Sequence, residues 1–215
     1  SIEESLTRLG LDCVPLLHLH DPEHAHDLDE VTRDGGAIDA LFKLKEQGLV
    51  TAVGLAMGAL DIMFPILKAY PFDSLISHNR FTLLNRSAGP MFDYAQKQSI
   101  AVFNAAPYAG GVLAKGSHDM PKITYQPADA KQLKPIRVLE EICARHNIPL
   151  GAAALQFSLK QSRVTSTIVG VSRPERIDET LEWAALKIPE AALIELTQLS
   201  YDLDDPEANR LYKPG

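Results

Sequence analysis

The chain has 215 residues, 46% of them apolar, enough for one domain (residues 1–215) with a substantial core. Its formal net charge is −7 with no Lys/Arg cluster to offset it, which argues against a nucleic-acid-binding surface. No apolar run approaches a membrane span and no charged-then-apolar leader opens the chain, so a soluble, cytoplasmic protein is expected.

Ile2, Leu6 and Leu9 recur at helical spacing, and Gly10 can end that helix in the left-handed conformation. Val14 to His20 then reads as a strand. Its period of two puts His18 and His20 on one face and Leu17 and Leu19 on the other. Asp21-Pro22 stops the strand, so His20 sits at its carboxyl end, where parallel α/β proteins place their ligands. Residues 23–36 are polar and acidic and read as a long loop. A helix from Ala37 to Gln47 ends at Gly48, and Leu49 to Leu55 is a strand. Ala59 to Ala69 is a helix that Pro65 is expected to bend or shorten. Asp73 to Ser77 is a strand, Pro90 opens a helix running to Gln98, and Ile100 to Ala105 is the next strand.

Residues 106–131 form a long segment punctuated by Gly and Pro, a length common in functional loops. Ile136, Leu139, Ile142 and Cys143 mark a helix, and Ala152 to Leu159 a small-residue helix suited to tight packing. Thr167 to Val171 is a strand, followed by helices from Pro174 to Leu186 and from Glu190 to Leu199. The tail from Asp202 to Gly215 has no periodicity, and Trp183 and Tyr201 read as packing residues. Cys13 and Cys143 lack metal-type spacing and are expected to be buried free thiols in a reducing compartment. Five strands alternating with helices imply an α/β fold with a parallel sheet buried on both faces. Either an open sheet or part of a (β/α)8 barrel, which typically takes about 250 residues, fits this count.

Three stretches carry candidate chemistry. His18 and His20 on one strand face could begin a metal site, with His78 as a further ligand and a hydrolase as the function. Alternatively one imidazole donates or polarises and the other packs. His24 and His26 lie in the acidic loop and read as solvated. Val169 to Thr180 follows a strand directly. Ser172 and Glu175 there fit a capping box, and Arg173 and Arg176 add charge at a helix start, which suits a phosphate. An ordinary capped helix with two surface arginines fits as well. In Asn104 to Leu113, small residues after a strand would let a ligand approach the backbone, or simply make a tight connection.

Ser5 to Pro22, Ala106 to Leu113 and Thr167 to Leu181, in this order, resemble the aldo-keto reductase family, closest to its sugar and pyridoxal dehydrogenases. The resemblance implies a (β/α)8 TIM barrel, here lacking roughly its first three β/α units. It implies hydride transfer between nicotinamide and a carbonyl or alcohol of a sugar, lactol or pyridoxal-like substrate. His20 matches the family's active-site histidine. Pro107, Tyr108, Gly111 and Leu113, with Gly170, Ser172, Arg176, Glu179 and Thr180, match cofactor contacts. The family's catalytic Asp, Tyr and Lys would precede Ser1, so this chain alone is expected to give no turnover. Ala56-Met57 stands where relatives carry a Ser-Asn pair, His78 where they carry a glutamine, and a small residue near Ala105 where they stack an aromatic. Gly170 stands where a lysine often grips the 2′-phosphate, which leans the cofactor toward NAD over NADP. Absent strands would leave open sheet edges, so self-association or segment swapping is expected, and a non-catalytic barrel fragment is the alternative.

Overall fold

The computed structural model describes residues 2–208. Helix α1 (Ile2–Leu9) buries only Leu6, and Gly10 ends it at φ 65°. Strand β1 (Val14–His20) follows. The stretch read as one long loop is interrupted by a 3-10 turn (Pro22–His24) and the short helix α2 (Asp29–Thr32). The Asp27 carboxylate accepts the Asp29 N–H at 2.9 Å, and buried Val31 anchors the turn. Helix α3 (Ala37–Glu46), strand β2 (Val50–Ala56), helix α4 (Leu60–Ala69) and strand β3 (Ser74–His78) come next. Pro65 does not end α4: it removes one N–H, but Met63, Ile66 and Leu67 bury the helix face and hold it together.

Helix α5 (Gly89–Lys97) and strand β4 (Ala101–Ala105) lead into the 106–131 segment. That segment is not all loop. It holds a 3-10 turn (Ala109–Gly111), helix α6 (Val112–Asp119) and a tight hairpin of β5 (Lys122–Ile123) and β6 (Gln126–Pro127). Buried Val112 and Leu113 draw α6 into the core. Helices α7 (Lys134–Arg145) and α8 (Leu150–Leu159), strand β7 (Ser166–Ile168), and helices α9 (Glu175–Ala185) and α10 (Glu190–Gln198) complete the described chain.

The large sheet is all-parallel, in the order β1-β2-β3-β4-β7. Within this sheet each strand lies beside the one that follows it in chain order, the β5–β6 hairpin aside, which is the order of a β/α barrel wall rather than of a doubly wound sheet. The register aligns Leu17 with Val53, Leu55 with Leu75, and Leu75 with Val102 on one face. On that face Val53, Leu55, Leu75 and Val102 have no exposed surface, each burial contributing roughly 1.5–3 kcal/mol. The opposite face buries Gly54, Ala56 and Ser74 but leaves Leu16, His18, Ile76, Phe103 and Ala105 only partly buried. The expectation of burial on both faces is therefore corrected. Helices cover the outer side, and five strands make an arc too short to enclose the inner one.

Candidate cofactor cavity

The chain turns sharply after β4. Ala106 (φ 53°), Ala109 (φ 48°), Gly110 (φ 74°) and Gly111 (φ 107°) all take left-handed conformations. Two of these are alanines, for which that region is strained, and the fold holds them there. A Cβ on Gly110 would lie 2.9 Å from the Tyr125 nitrogen, so only glycine lets the β5–β6 hairpin close on the turn. The Thr124 N–H donates to the Ala109 carbonyl at 3.1 Å and ties hairpin to turn.

This turn forms one wall of a cavity of about 510 Å³, a size suited to a small-molecule ligand. Ala105, Pro107, Tyr108 and Gly111 line one side; Gly170, Ser172, Arg176, Glu179 and Thr180 line the other. Eight of the nine residues implied as cofactor contacts thus meet in one hollow: Leu113 is fully buried in the core instead, between the lining residues Gly111 and Ala114. Trp183 and Tyr125 also line the cavity, and sequence reasoning missed both. Trp183 meets Tyr108 edge-to-face, with centroids 5.9 Å apart. Its ring lies against Gly151, where a Cβ would collide with it. Gln156 donates to the Trp183 and Leu186 carbonyls at 2.8 and 2.6 Å, locking the end of α9 to α8.

Burial pushes the Tyr108 phenol up to about 12, against the opposing effect of the Thr180 hydroxyl. Tyr108 is therefore a neutral hydrogen-bonding group at physiological pH. Arg176 pairs with Glu179 at 3.5 Å, one turn apart. The capping box does not form. Arg176 and Ile177 donate to the Arg173 and Pro174 carbonyls, so α9 starts at Glu175 with Pro174 as its cap residue and no side-chain cap. Ser172 lies too far before the helix to serve and lines the cavity instead. A second hollow of about 330 Å³ opens beside it, lined by Lys115, Ser172, Arg173, Glu175 and Arg176. Three cations against one carboxylate suit an anion.

His20 is highly exposed, its side chain 78% accessible, and pairs with Asp21 at 3.5 Å. The register carries its row through Ala56, Ile76 and Phe103, the sheet face that also bears Ala105 and Ile168 of the cavity. His20 and the cavity thus share a face and a carboxyl end. Four inter-strand spacings of about 4.8 Å separate β1 from β7, and His20 is not a cavity wall. His18 points into the arc. Its Nε2 lies 3.0 Å from the Ser74 hydroxyl, across Gly54, and its ring meets Phe103 edge-on. Burial, and secondarily the charge of His20, lowers the His18 pKa. The metal alternative fails on this geometry: His18 is engaged by Ser74 and His78 by Glu207. Among the described residues no three His, Cys, Asp or Glu side chains gather as a metal site. Cys143 is buried as expected, whereas Cys13 is only partly so, because it precedes an edge strand; its sulfur lies 3.5 Å from the Thr51 hydroxyl. No described helix is long and apolar enough to cross a membrane.

Comparison with known proteins bears on this arrangement. The aldo/keto reductase family pattern matches residues 1–200. D-threo-aldose 1-dehydrogenase from a Pseudomonas species is 33% identical over 200 residues, covering 92% of this chain and 60% of its own length. Pyridoxal 4-dehydrogenase from Microbacterium luteolum is 30% identical, covering 88% of this chain and 58% of its own length. The chain therefore spans about three-fifths of these relatives. An aldo-keto reductase of Bacillus halodurans in its holo form superposes with a TM-score of 0.74 at 20% identity, covering 98% of this chain and 66% of that one. The superposition, over 98% of this chain, agrees with a parallel arc in barrel strand order, and the family pattern matched through residue 200 places this chain in the aldo/keto reductase family.

Proposed function

We propose that the chain forms the cofactor-holding part of an NAD(P)-dependent oxidoreductase that interconverts a carbonyl and an alcohol on a sugar, lactol or pyridoxal-like substrate. One observation carries this: the turn after β4 and the segment from Gly170 to Thr180 line a single cavity of about 510 Å³. Its glycines allow close backbone approach, its aromatic pair offers flat apolar walls, and its cationic rim suits phosphate. Family membership supports the reaction class. Bound there, a nicotinamide dinucleotide supplies or accepts the hydride. Tyr108 and Trp183 would wall it, Ser172 and Arg176 would hold its anionic part, and His20 would orient substrate at the far side of the same sheet face.

The nicotinamide choice has two readings. Gly170, in place of a lysine, favours NAD. The hollow lined by Lys115, Arg173 and Arg176 favours NADP, because three cations there could take a 2′-phosphate. The family's Asp, Tyr and Lys fall outside this sequence, so the chain by itself should bind cofactor without turning over substrate. Among the described residues, the partly covered inner face and the outer edges of β1 and β7, which no described strand pairs, support self-association. The acidic net charge is in keeping with a cytoplasmic setting.

Calorimetric titration with NADH and NADPH tests the reading. Saturable binding that weakens in Arg176→Ala supports it, and no heat with either cofactor rejects it. Oxidation of L-fucose or pyridoxal should be absent with this chain. Turnover above a His20→Ala control would overturn the assignment of a missing proton donor.

A further inference from the structure

At the end of β3, four side chains from distant parts of the chain meet. Arg80, its side chain 3% exposed, donates from Nη1 to Glu207 Oε2 at 2.8 Å and from Nη2 to Asp205 Oδ1 at 2.5 Å. The same Glu207 oxygen lies 2.9 Å from His78 Nε2, and the Glu207 side chain is only 7% exposed. Arg80 Nη1 also donates to the His78 carbonyl at 3.1 Å. The segment that brings these carboxylates is pinned at Asp202, Asp204 and Pro206. Asn85 bridges to Asp202 and donates to the Asp204 carbonyl at 2.8 Å, and Thr124 donates to the Pro206 carbonyl at 2.8 Å. A Cβ on Gly58 would lie 2.8 Å from Arg80 Nη1, so the loop after β2 also fits closely around the guanidinium.

We propose that Glu207 is a positioning residue: it sets the tautomer and orientation of His78, so that His78 Nδ1 becomes a hydrogen-bond acceptor at the carboxyl end of the sheet. A carboxylate only accepts, so the imidazole nitrogen facing it carries the hydrogen. That leaves Nδ1 with a lone pair, and no described residue hydrogen-bonds to it. Arg80 fixes the carboxylate from behind, as a buried bidentate partner shared between Asp205 and Glu207. His78 pairs in register with Ala105, which lines the cavity, so the presented nitrogen stands one strand from the cavity wall. Its partner would be an amide or hydroxyl hydrogen of the bound ligand. The tail thus contributes to the site through His78, without lining the cavity itself. The ligand part rests on the cofactor reading above; the tautomer part does not.

Long-range 1H–15N spectra of the neutral imidazole at a pH of about 8.5 decide it. The parent chain should show His78 protonated on Nε2. Glu207→Gln, whose carbonyl oxygen still accepts, should keep that tautomer, and Glu207→Ala should give a mixture. Protonation on Nδ1 in the parent, or an unchanged tautomer in Glu207→Ala, overturns the proposal. NADH affinity should fall about three- to tenfold in Glu207→Ala, the loss of one oriented hydrogen bond, and recover in Glu207→Gln. Equal NADH binding by parent and Glu207→Ala also overturns it. If the parent binds neither NADH nor NADPH, the cofactor reading fails, while the spectra still decide the role of Glu207.

Discussion

Gly151→Ala sets two well-defined effects against each other. Gly151 is the second residue of α8, and alanine there would gain at most about 1 kcal/mol from helix propensity and lost chain entropy. The new Cβ, however, would collide with three atoms of the Trp183 six-membered ring. That ring cannot retreat freely: the Trp183 carbonyl is held by Gln156 at 2.8 Å and its indole is wedged edge-to-face against Tyr108. Inserting one carbon into such a contact typically costs about 1–3 kcal/mol. With the ring held in place the collision outweighs the gain, and we expect a net loss of up to about 2 kcal/mol by urea unfolding. Because Trp183 is the chain's only tryptophan, its fluorescence reads the same displacement. The emission should shift and NADH binding should weaken as the ring is driven into the cavity. Gly151→Ala combined with Trp183→Leu should recover stability relative to Trp183→Leu alone, since only the propensity gain remains. A Gly151→Ala chain more stable than its parent, with unchanged emission, would refute the packing described for this wall.

Gly54→Ala should destabilise by about 1–3 kcal/mol, because its Cβ would strike both His18 and Ser74; the same change in a His18→Ala background should cost less, as a double-mutant cycle would show. The Tyr108 phenol should stay protonated at a pH where free tyrosine has already titrated. Its folded pKa of about 12 lies above the unfolded value, so stability should fall as pH rises from 10 through 12, and Tyr108→Phe should lessen that fall. The His18 pKa is lowered, so its contribution is present above its unfolded value near 6.5 and is lost as pH falls below it; an unchanged acid limb in His18→Gln would contradict this. Burial, and secondarily Glu140, pushes the Cys143 thiol up to about 11, so a thiol reagent at neutral pH should modify Cys13 first and Cys143 only on unfolding.

All five strands of the large sheet were legible in the chain, because apolar runs such as Leu49 to Leu55, bounded by Gly48 and a following small-residue turn, have few other stable uses. The turn from Ala106 to Gly111 and the segment before α9 were legible as cavity-forming stretches for a related reason: close backbone approach needs small residues at set positions, wherever the rest of the chain goes. The capping box at Ser172 was misread because local spacing does not reveal which carbonyls the first turn will use. Helix α6 was hidden because Gly and Pro around it mimic a loop, and only burial of Val112 and Leu113 makes it hold. His20 and the helix start at Glu175 could be placed on carboxyl strand ends from sequence, but their separation depends on strand order. Trp183 against Gly151, and Glu207 on Arg80 and His78, join residues 32 and 127 or more positions apart. No periodicity records such pairs. The sequence by itself determined the strands, their parallel use and the family, because those follow from local patterning. Tertiary structure alone decided which side chains wall the cavity and which face of the sheet stays open, because those depend on contacts that exist only once distant segments pack.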